Sequence, residues 1–473
     1  MNSLAIRLMS FLLYLIPAAL VSGPFIPDLF LVIIIIIFCF ISIKNKQWKY
    51  YRHPFLTIFL FWCLYIFLRS IFSIDIALSL ESSLFYFRFG LFAIAIWYVI
   101  ENNANFTKRF TLLFSITFFI VLMDGYLQYF TGKNIFGFSV FYQDASEIGV
   151  GVAHRLSGFF NEQLILGSYL SRLLPLVFAL VILHYSDSKF IIILNMFLLI
   201  ATDVLVFISG ERSAFFYLLL TSLMIVIFVR KQRRLRLITF IFSIFIIVLI
   251  SFSNEGVKNR MIDYTIEQIN LKSIFLNTNN EEIKEMDNNK LIEDQISNED
   301  EIKVDGFLSG QLTAKESGVI SDKIVIFSWH HQRHYISAIK MFLDNPIFGI
   351  GPKLFRIRCE EEKFYIHYGC STHPHNLYIQ LLAETGLIGF IPVLFCFFYI
   401  VYKFFINIVN FKQKNIKSSY NYTSLNEDYR TCLFIALLIA LWPLIPTGSV
   451  FNNWLGIVSF LPVGFLLQSQ NKS

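Results

Sequence analysis

The sequence predicts an all-α protein that crosses a membrane many times. Three observations support this prediction: 56% of the 473 residues are hydrophobic, only 15% are charged, and long apolar stretches recur along the chain. Soluble domains contain about 25% charged residues, and a helix needs about 20 apolar residues to cross the hydrocarbon core of a bilayer. An excess of apolar side chains on this scale indicates contact with lipid rather than a larger protein core.

Twelve apolar stretches have the length of a membrane span. They lie at roughly 8–23, 26–43, 54–72, 82–100, 110–130, 163–183, 190–208, 213–229, 235–252, 377–402, 431–447 and 452–468. The stretch at 163–183 contains Arg172 and Pro175, so it fits the pattern least well. The first stretch lacks a good signal-peptide cleavage site and is expected to remain as a span.

These stretches divide the chain into three regions. Residues 1–252 form an N-terminal membrane region of about nine spans, residues 253–376 form one large polar loop, and residues 377–473 form a C-terminal membrane region of about three spans. With both termini in the cytoplasm, basic residues such as the run at 230–236 lie inside, whereas the short outside loops hold only Lys133, Arg155 and Arg212. The positive-inside rule therefore predicts that the large loop lies outside the cytoplasm.

The large loop changes character along its length. Residues 279–305 are acidic and rich in Asn with few aromatic side chains, which predicts a flexible, solvated stretch. Residues 323–343 place apolar side chains at helical spacing beside histidines and Arg333, which predicts an amphipathic helix at the bilayer surface. Asp344-Asn345-Pro346 is expected to end that helix. Cys359 and Cys370 can form a disulfide if this compartment is oxidising.

Polar groups that face the same side of the predicted bundle occur at three places. These are the segment His154–Glu162, the loop Ser209–Ser213 and the helix start Thr372–Leu387. Short loops hold Arg155 and Arg212 near the membrane boundary, where a charge is costly unless it faces a cavity or a partner. At the third place, Pro374 suits the first turn of a helix and His375 is expected just inside it. A helix start would keep this imidazole neutral near pH 7 and attract an anion.

Each of these residues also has a structural explanation. Arg212 could pair with Glu211 or reach lipid headgroups, Arg155 could be an ordinary loop charge, and His375 could cap a helix or bind a carbonyl group. Three further histidines could be metal ligands or could meet headgroups; they are His330, His331 and His334. The sequence has no Cys-x-x-Cys pair, Asp-x-Asp pair or Walker loop, so metal-nucleotide chemistry has no visible site.

In combination, these motifs resemble the O-antigen ligase and polymerase superfamily. The characteristic pattern is His375-Asn376, nine residues, and then Gly386-Leu387-Ile388-Gly389. The Arg-x-Ser-Gly-Phe-Phe-Asn-Glu stretch that begins at Arg155, the Ser209–Ser213 loop and the stretch from Asp344 to Pro352 resemble three more elements of that family, in the same order. The resemblance extends over nearly the whole chain.

This resemblance implies a GT-C-like glycosyltransferase of the bacterial inner membrane with its active site facing the periplasm. Members of the family take a glycan from undecaprenyl pyrophosphate and use no metal or other cofactor, and no nucleic acid partner is expected. Carried over by motif, Arg155 and Arg212 would bind the pyrophosphate and His375 would act as the base on the acceptor hydroxyl. Arg333 and Asn376 receive only a possible role in substrate binding. The expected acceptor is lipid A–core.

Two alternatives stay open at this point. The same donor chemistry serves a polymerase that extends lipid-linked chains, or a ligase for protein or exopolysaccharide, and the sequence does not separate these acceptors. A lipid-glycan flippase or exporter would need paired charges inside the bundle. The spans show no convincing set of such pairs, and the exceptions, Arg69 and Arg88, could pair locally.

Overall fold

Helices form almost all of the regular structure in the computed structural model, which describes residues 2–144, 151–185, 188–269, 328–414 and 422–470. The helices up to the large loop are α1 (Asn2–Ala19), α2 (Phe25–Lys44), α3 (Pro54–Ile71), α4 (Ile76–Ser83), α5 (Arg88–Asn102), α6 (Phe106–Thr131), α7 (Leu166–Tyr185), α8 (Lys189–Ile208), α9 (Arg212–Phe228) and α10 (Arg233–Ser253). Two short antiparallel strands, β1 (Phe141–Gln143) and β2 (Ala153–Arg155), form a hairpin between α6 and α7.

The remaining helices belong to the loop and the C-terminal region. They are α11 (Glu255–Lys258), α12 (Tyr264–Ile269), α13 (Trp329–Asp344), α14 (Phe355–Arg358), α15 (Leu377–Lys414), α16 (Tyr422–Ala440) and α17 (Asn453–Gln470). A π-helical turn at Asn259–Asp263 joins α11 to α12. The predicted acidic stretch at 279–305 lies outside the described residues.

The predicted all-α, multi-pass bundle is confirmed. Each of the twelve predicted stretches overlaps a helix, including the one with Arg172 and Pro175, which is part of α7. Among the described residues, eight helical segments are long and apolar enough to cross a membrane: Phe25–Lys44, Pro54–Ile71, Ile76–Asn102, Phe106–Thr131, Leu166–Tyr185, Lys189–Ile208, Arg233–Ser253 and Leu377–Val409. The count of twelve spans and the periplasmic side of the loop stay predictions.

The outer surface of the bundle is apolar, as a lipid environment requires. On α10, Leu237, Ile241, Phe245 and Phe252 are exposed at helical spacing, whereas Ser243 on the other side of the helix is buried. Soluble proteins rarely expose a continuous apolar stripe of this length. Lipid is the medium that covers such a surface, because it carries no cost for exposed Leu and Phe.

The bundle contains a buried ion pair that the sequence analysis missed. The guanidinium of Arg236 donates to both carboxylate oxygens of Asp203 at 2.8 Å, and both side chains are almost fully buried. Ser222 also accepts from Arg236, so α8, α9 and α10 meet at one polar contact. The expectation that the spans lack paired charges is wrong here, because Arg236 lies inside α10 rather than in the basic loop before it. The bidentate geometry indicates a fixed structural tie.

The loop after α13 docks into a break in α15. At Gly386 the backbone of α15 has φ +59° and ψ −168°, a conformation available essentially to glycine alone. The opened turn exposes backbone groups that pair with the loop: Ile350 donates to Ala383 at 2.9 Å and Leu387 donates to Pro346 at 2.9 Å. Gly386, the first glycine of the Gly386-x-x-Gly389 pattern, therefore makes room for the glycine-rich loop after α13. The two motifs contact each other directly.

We expect Gly386→Ala to destabilise the protein strongly. An added Cβ would collide with the carbonyl of Ile347 and the amide of Gly349, in addition to forcing a disfavoured backbone conformation. Together these effects should cost about 2–4 kcal/mol. The matched control is Gly132→Ala, because Gly132 also has a positive φ (+79°) but has open space around its Cβ position. Thermal unfolding in detergent checks the prediction, and equal midpoints for the two variants would contradict it.

Candidate active site

The hairpin β1–β2 delivers Arg155 to the end of α6. The side chain of Gln128, near the C-terminus of α6, accepts from the amides of Ser157 (3.0 Å) and Gly158 (2.7 Å) and so fixes the turn that follows Arg155. Arg155 is half-buried, and its Nε is buried without a hydrogen-bond partner among the described residues. A guanidinium held in this way can bind an anionic ligand through its N–H donors.

The Ser209–Ser213 loop contacts the Arg155 segment directly. The amide of Leu156 donates to the carbonyl of Ser209 at 3.1 Å. Gly210 has φ +77°, and a Cβ there would lie 2.7 Å from the carbonyl oxygen of His154. Only glycine permits this approach. Two of the family-like motifs noted in the sequence thus meet in space, and Arg155 and Arg212 come to the same place.

Glu211 has a structural function beside these arginines. Its carboxylate accepts from the amides of Gly167 (2.6 Å) and Ser168 (3.1 Å) and from the Ser168 hydroxyl (2.8 Å). These are the free amides at the start of α7, which need acceptors. Glu211 therefore joins the start of α7 to the start of α9, the helix that Arg212 begins.

A third arginine, which the sequence analysis did not identify, completes the cluster. Arg260 lies in the π-helical turn after α11, a kind of irregularity often found at functional sites. Its Nε donates to the carbonyl of Gly210 at 3.0 Å and its Nη1 donates to Gln143 at 3.2 Å. The guanidinium carbons of Arg212 and Arg260 lie 4.9 and 5.1 Å from the ring centre of Tyr264. The signal in the sequence was the four-residue spacing of Arg260 and Tyr264.

We refer to Arg155, Arg212 and Arg260 as the arginine cluster. Burial lowers the pKa of Arg155. Burial, with added repulsion from the other two arginines, lowers the pKa of Arg260 to about 9. Arg260 therefore stays charged at pH 7. The three guanidinium groups of the cluster are partly shielded from water by the surrounding protein. Such a place favours a multivalent anion with several acceptor oxygens.

The helix that follows His375 begins later than predicted. α15 starts at Leu377, and Asn376 is its N-cap: the side-chain oxygen accepts from the amides of Tyr378 (3.0 Å) and Ile379 (3.1 Å). The placement of Pro374 and His375 in the first turn is wrong, because the Asn376 side chain already satisfies the free amides there. Asn376 also donates to the carbonyl of Pro443 at 2.8 Å. A role of Asn376 toward a substrate stays a prediction.

His375 sits just outside the helix in a left-handed backbone conformation with φ +57°. Such a conformation is unusual for a residue with a side chain and is held by surrounding structure, often at functional sites. Its Nε2 shares a hydrogen bond with the hydroxyl of Ser371 at 3.1 Å. The rings of His373, His331 and His334 lie 4.1, 5.3 and 5.4 Å from the His375 ring, centre to centre.

Helix α13 brings two of these histidines to His375, because α13 packs against the start of α15. His334 Nδ1 donates to the carbonyl of Gly369 at 2.9 Å, and Arg333 donates to the carbonyl of His367. These contacts face the protein, and a bilayer-surface position of α13 is an untested prediction. A role of Arg333 toward a substrate also stays a prediction.

Cys359 and Cys370 form a disulfide, with their Cα atoms 5.3 Å apart. It closes the segment whose carbonyl groups bind Arg333 and His334.

Among the described residues, no group of three or more His, Cys, Asp or Glu side chains is arranged to hold a metal ion.

Electrostatics connect the histidines to the arginine cluster. Burial, and then proximity to His334, lower the pKa of His375 to about 4. Burial lowers the pKa of His331 to about 3, with contributions from His375, His334 and Arg212. His331 thus lies within electrostatic range of both Arg212 and His375. His375 is a neutral base at pH 7, for which the cause is burial rather than a helix dipole.

The rate of a reaction that uses His375 as a base should fall only below about pH 5. The unprotonated form is present above the pKa and is lost as the pH falls through about 4. We therefore expect kcat/KM to be flat from roughly pH 8 to pH 5 and to fall below that range. Samples returned to pH 7 before assay control for acid damage. An inflection near 6.5, the pKa of an exposed histidine, would contradict the prediction.

Comparison with known proteins gives one result that agrees with this geometry. The sequence model of the family described as O-antigen ligase matches residues 194–394. The matched stretch contains Arg212, Arg260 and His375, whereas Arg155 precedes it. No curated protein matches the chain. The resemblance to the O-antigen ligase superfamily that the sequence motifs indicate is thus confirmed over residues 194–394.

Proposed function

We propose that the protein transfers a glycan from undecaprenyl pyrophosphate to an acceptor hydroxyl on the periplasmic side of the inner membrane, in the ligation of O-antigen to lipid A–core. The match to the O-antigen ligase family over residues 194–394 supports glycan transfer of the ligase or polymerase type in general. The observation that carries the finer proposal is a buried, neutral His375 that His331 connects to the arginine cluster: the His331 ring lies 5.3 Å from the His375 ring, and Arg212 contributes to the low pKa of His331.

The arginine cluster suits the leaving group of this reaction. When the bond between the sugar C1 and the phosphate oxygen breaks, undecaprenyl pyrophosphate leaves with its negative charge on the phosphate oxygens. Guanidinium groups present planar forks of N–H donors that match phosphate oxygens two at a time. In a partly desolvated place their attraction for developing charge exceeds that of bulk water. The ring of Tyr264 contacts the guanidinium groups of both Arg212 and Arg260, which keeps these two groups close together for the expected diphosphate.

His375 suits the acceptor side of the same reaction. The acceptor oxygen attacks C1 of the sugar, the C1–O(phosphate) bond breaks, and the hydroxyl proton passes to the imidazole of His375. A neutral imidazole is required for this step, and its environment keeps it neutral. The activated donor supplies the driving force, so the step needs no further reactant. Proton removal by a positioned base typically contributes about 10²–10⁴ in rate.

Reconstitution tests the proposal directly. Purified protein in nanodiscs is mixed with undecaprenyl-pyrophosphate-linked glycan and lipid A–core, and the products are separated by mass. We expect glycan-bearing lipid A–core and released undecaprenyl pyrophosphate, with no effect of a metal chelator. Longer lipid-linked glycan in place of the lipid A–core product would assign the protein to the polymerases instead.

The new glycosidic bond should have the inverted anomeric configuration. Direct attack by the acceptor on C1 opposite the leaving phosphate inverts that centre once, whereas a covalent glycosyl-enzyme intermediate would invert it twice and retain it. NMR of the product compared with the donor, through the coupling constant of the anomeric proton, checks this prediction. A product with the configuration of the donor would contradict single displacement.

A further inference from the structure

We propose that Arg172 is a positioning residue that holds His375 in place through Thr447. This inference rests on the proposed role of His375 as the base, and it assigns a function to a charge that α7 carries among apolar residues. It is argued from one continuous set of hydrogen bonds that runs from α7 to the backbone of His375.

The first step is the contact between Arg172 and Thr447. Arg172 lies in the second turn of α7 and is only 7% exposed. Its Nη2 donates to the hydroxyl oxygen of Thr447 at 2.8 Å, and its guanidinium carbon lies 4.5 Å from the ring centre of Tyr217. The Nε of Arg172 is buried without a hydrogen-bond partner among the described residues. A charge in this setting is costly to keep, which indicates a specific function.

The second step is the contact between Thr447 and the histidine segment. The amide of Thr447 donates to the carbonyl of His375 at 2.8 Å. The carbonyl of Thr447 in turn accepts from Nε2 of His373 at 3.3 Å. Thr447 therefore binds the segment before α15 on both sides of Pro374. Since His375 has φ +57°, its backbone needs such external bonds to keep the conformation that aims its imidazole.

The third step is the chemical reason for arginine at this position. Its guanidinium stacks on Tyr217 and still presents N–H groups in a fixed plane toward Thr447, which a lysine ammonium does not do. Tyr217 belongs to α9 and Thr447 to the segment between α16 and α17, so Arg172 fixes the distance between three parts of the bundle. A base displaced by about 1 Å can lose as much as about 10² in rate. Arg172 thus acts on the reaction through the placement of His375.

The test compares four variants of the full-length protein in nanodiscs, with donor isolated from cells that carry His375→Ala. Thr447→Val keeps the shape of the side chain but removes the acceptor for Arg172, and Thr447→Ser retains it. We expect Thr447→Val and Arg172→Met each to lower kcat by about tenfold or more while the KM for the donor changes by less than about twofold. Thr447→Ser should be close to wild type. The double variant, which combines Arg172→Met with Thr447→Val, should have a kcat no lower than that of Arg172→Met alone, because both changes remove the same contact.

Several results would overturn the inference. Wild-type kcat in both Thr447→Val and Arg172→Met, with His375→Ala inactive, would show that this contact does not position the base. Additive losses in the double variant, or a large rise in KM for the donor, would assign Arg172 to substrate binding instead. Thermal unfolding shows whether Arg172→Met folds. If it does not fold, the comparison of kcat between Thr447→Val and Thr447→Ser tests the inference, and equal kcat in these two variants would overturn it. An active His375→Ala variant would contradict the proposed base itself, which is a separate outcome.

Discussion

Replacing His375 with alanine is expected to abolish glycan transfer and to make the lipid-linked donor accumulate outside the cytoplasm. The alanine variant keeps the arginine cluster, so the donor still binds, but no group remains to take the proton of the attacking hydroxyl. The loss should reach about 10²–10⁴ in kcat. Transfer is measured by the mass of the product, and the side of accumulation by the access of an added glycosidase to the donor in intact spheroplasts.

The matched control for this variant is His330→Ala. His330 is an exposed histidine at the start of α13, the helix that carries His331 and His334 to the site. Its replacement should leave kcat within about twofold of wild type. Donor trapped in the cytoplasmic leaflet in the His375→Ala strain would instead indicate a flippase, and unaltered transfer in that strain would contradict the role of His375.

Lysine at position 155 or 212 is expected to weaken donor binding even though the positive charge is retained. An ammonium group offers a point charge in place of two parallel N–H donors, so each variant loses a charge-assisted hydrogen bond to the diphosphate. Such bonds contribute about 1.5–3 kcal/mol, which corresponds to a loss on the order of 10–100-fold in kcat/KM. Arg260→Lys belongs to the same class because Arg260 shares Tyr264 with Arg212.

Binding of undecaprenyl pyrophosphate to protein in nanodiscs separates this effect from a folding defect. The control is Arg234→Lys, an exposed arginine in the first turn of α10. It should bind the ligand as wild type does. If Arg155→Lys and Arg212→Lys each bind undecaprenyl pyrophosphate with wild-type affinity, the arginine cluster is not part of the donor site.

Much of the fold was predictable because lipid imposes a simple rule on the sequence. Long apolar stretches must be helical, since no water is present to satisfy the backbone of any other conformation. That rule located α2, α6 and α8 from composition alone. It says nothing about which helices meet. The buried pair of Asp203 and Arg236 was therefore missed, because the two residues are 33 positions apart and lie on different helices.

The candidate site was predictable only where a local pattern repeats that of a known family. Arg155, Arg212 and His375 belong to such patterns, whereas Arg260 has no motif and reaches the cluster through the π-helical turn and the close approach at Gly210. The start of α15 was placed too early because Pro374 suits a first turn, while the side chain of Asn376 in fact caps the helix. The cause of the low pKa of His375 also depends on neighbours that are distant in sequence.

The central claim is that the arginine cluster binds the diphosphate of the donor while His375 lies next to the sugar carbon that the acceptor attacks. Cryo-electron microscopy of the wild-type protein in nanodiscs with undecaprenyl pyrophosphate tests it most directly. We predict phosphate oxygens within hydrogen-bond distance of Arg155 and Arg212, with the terminal phosphate on the side of His375. A diphosphate bound away from the arginine cluster, or too far from His375 for one sugar ring to bridge the gap, would contradict it.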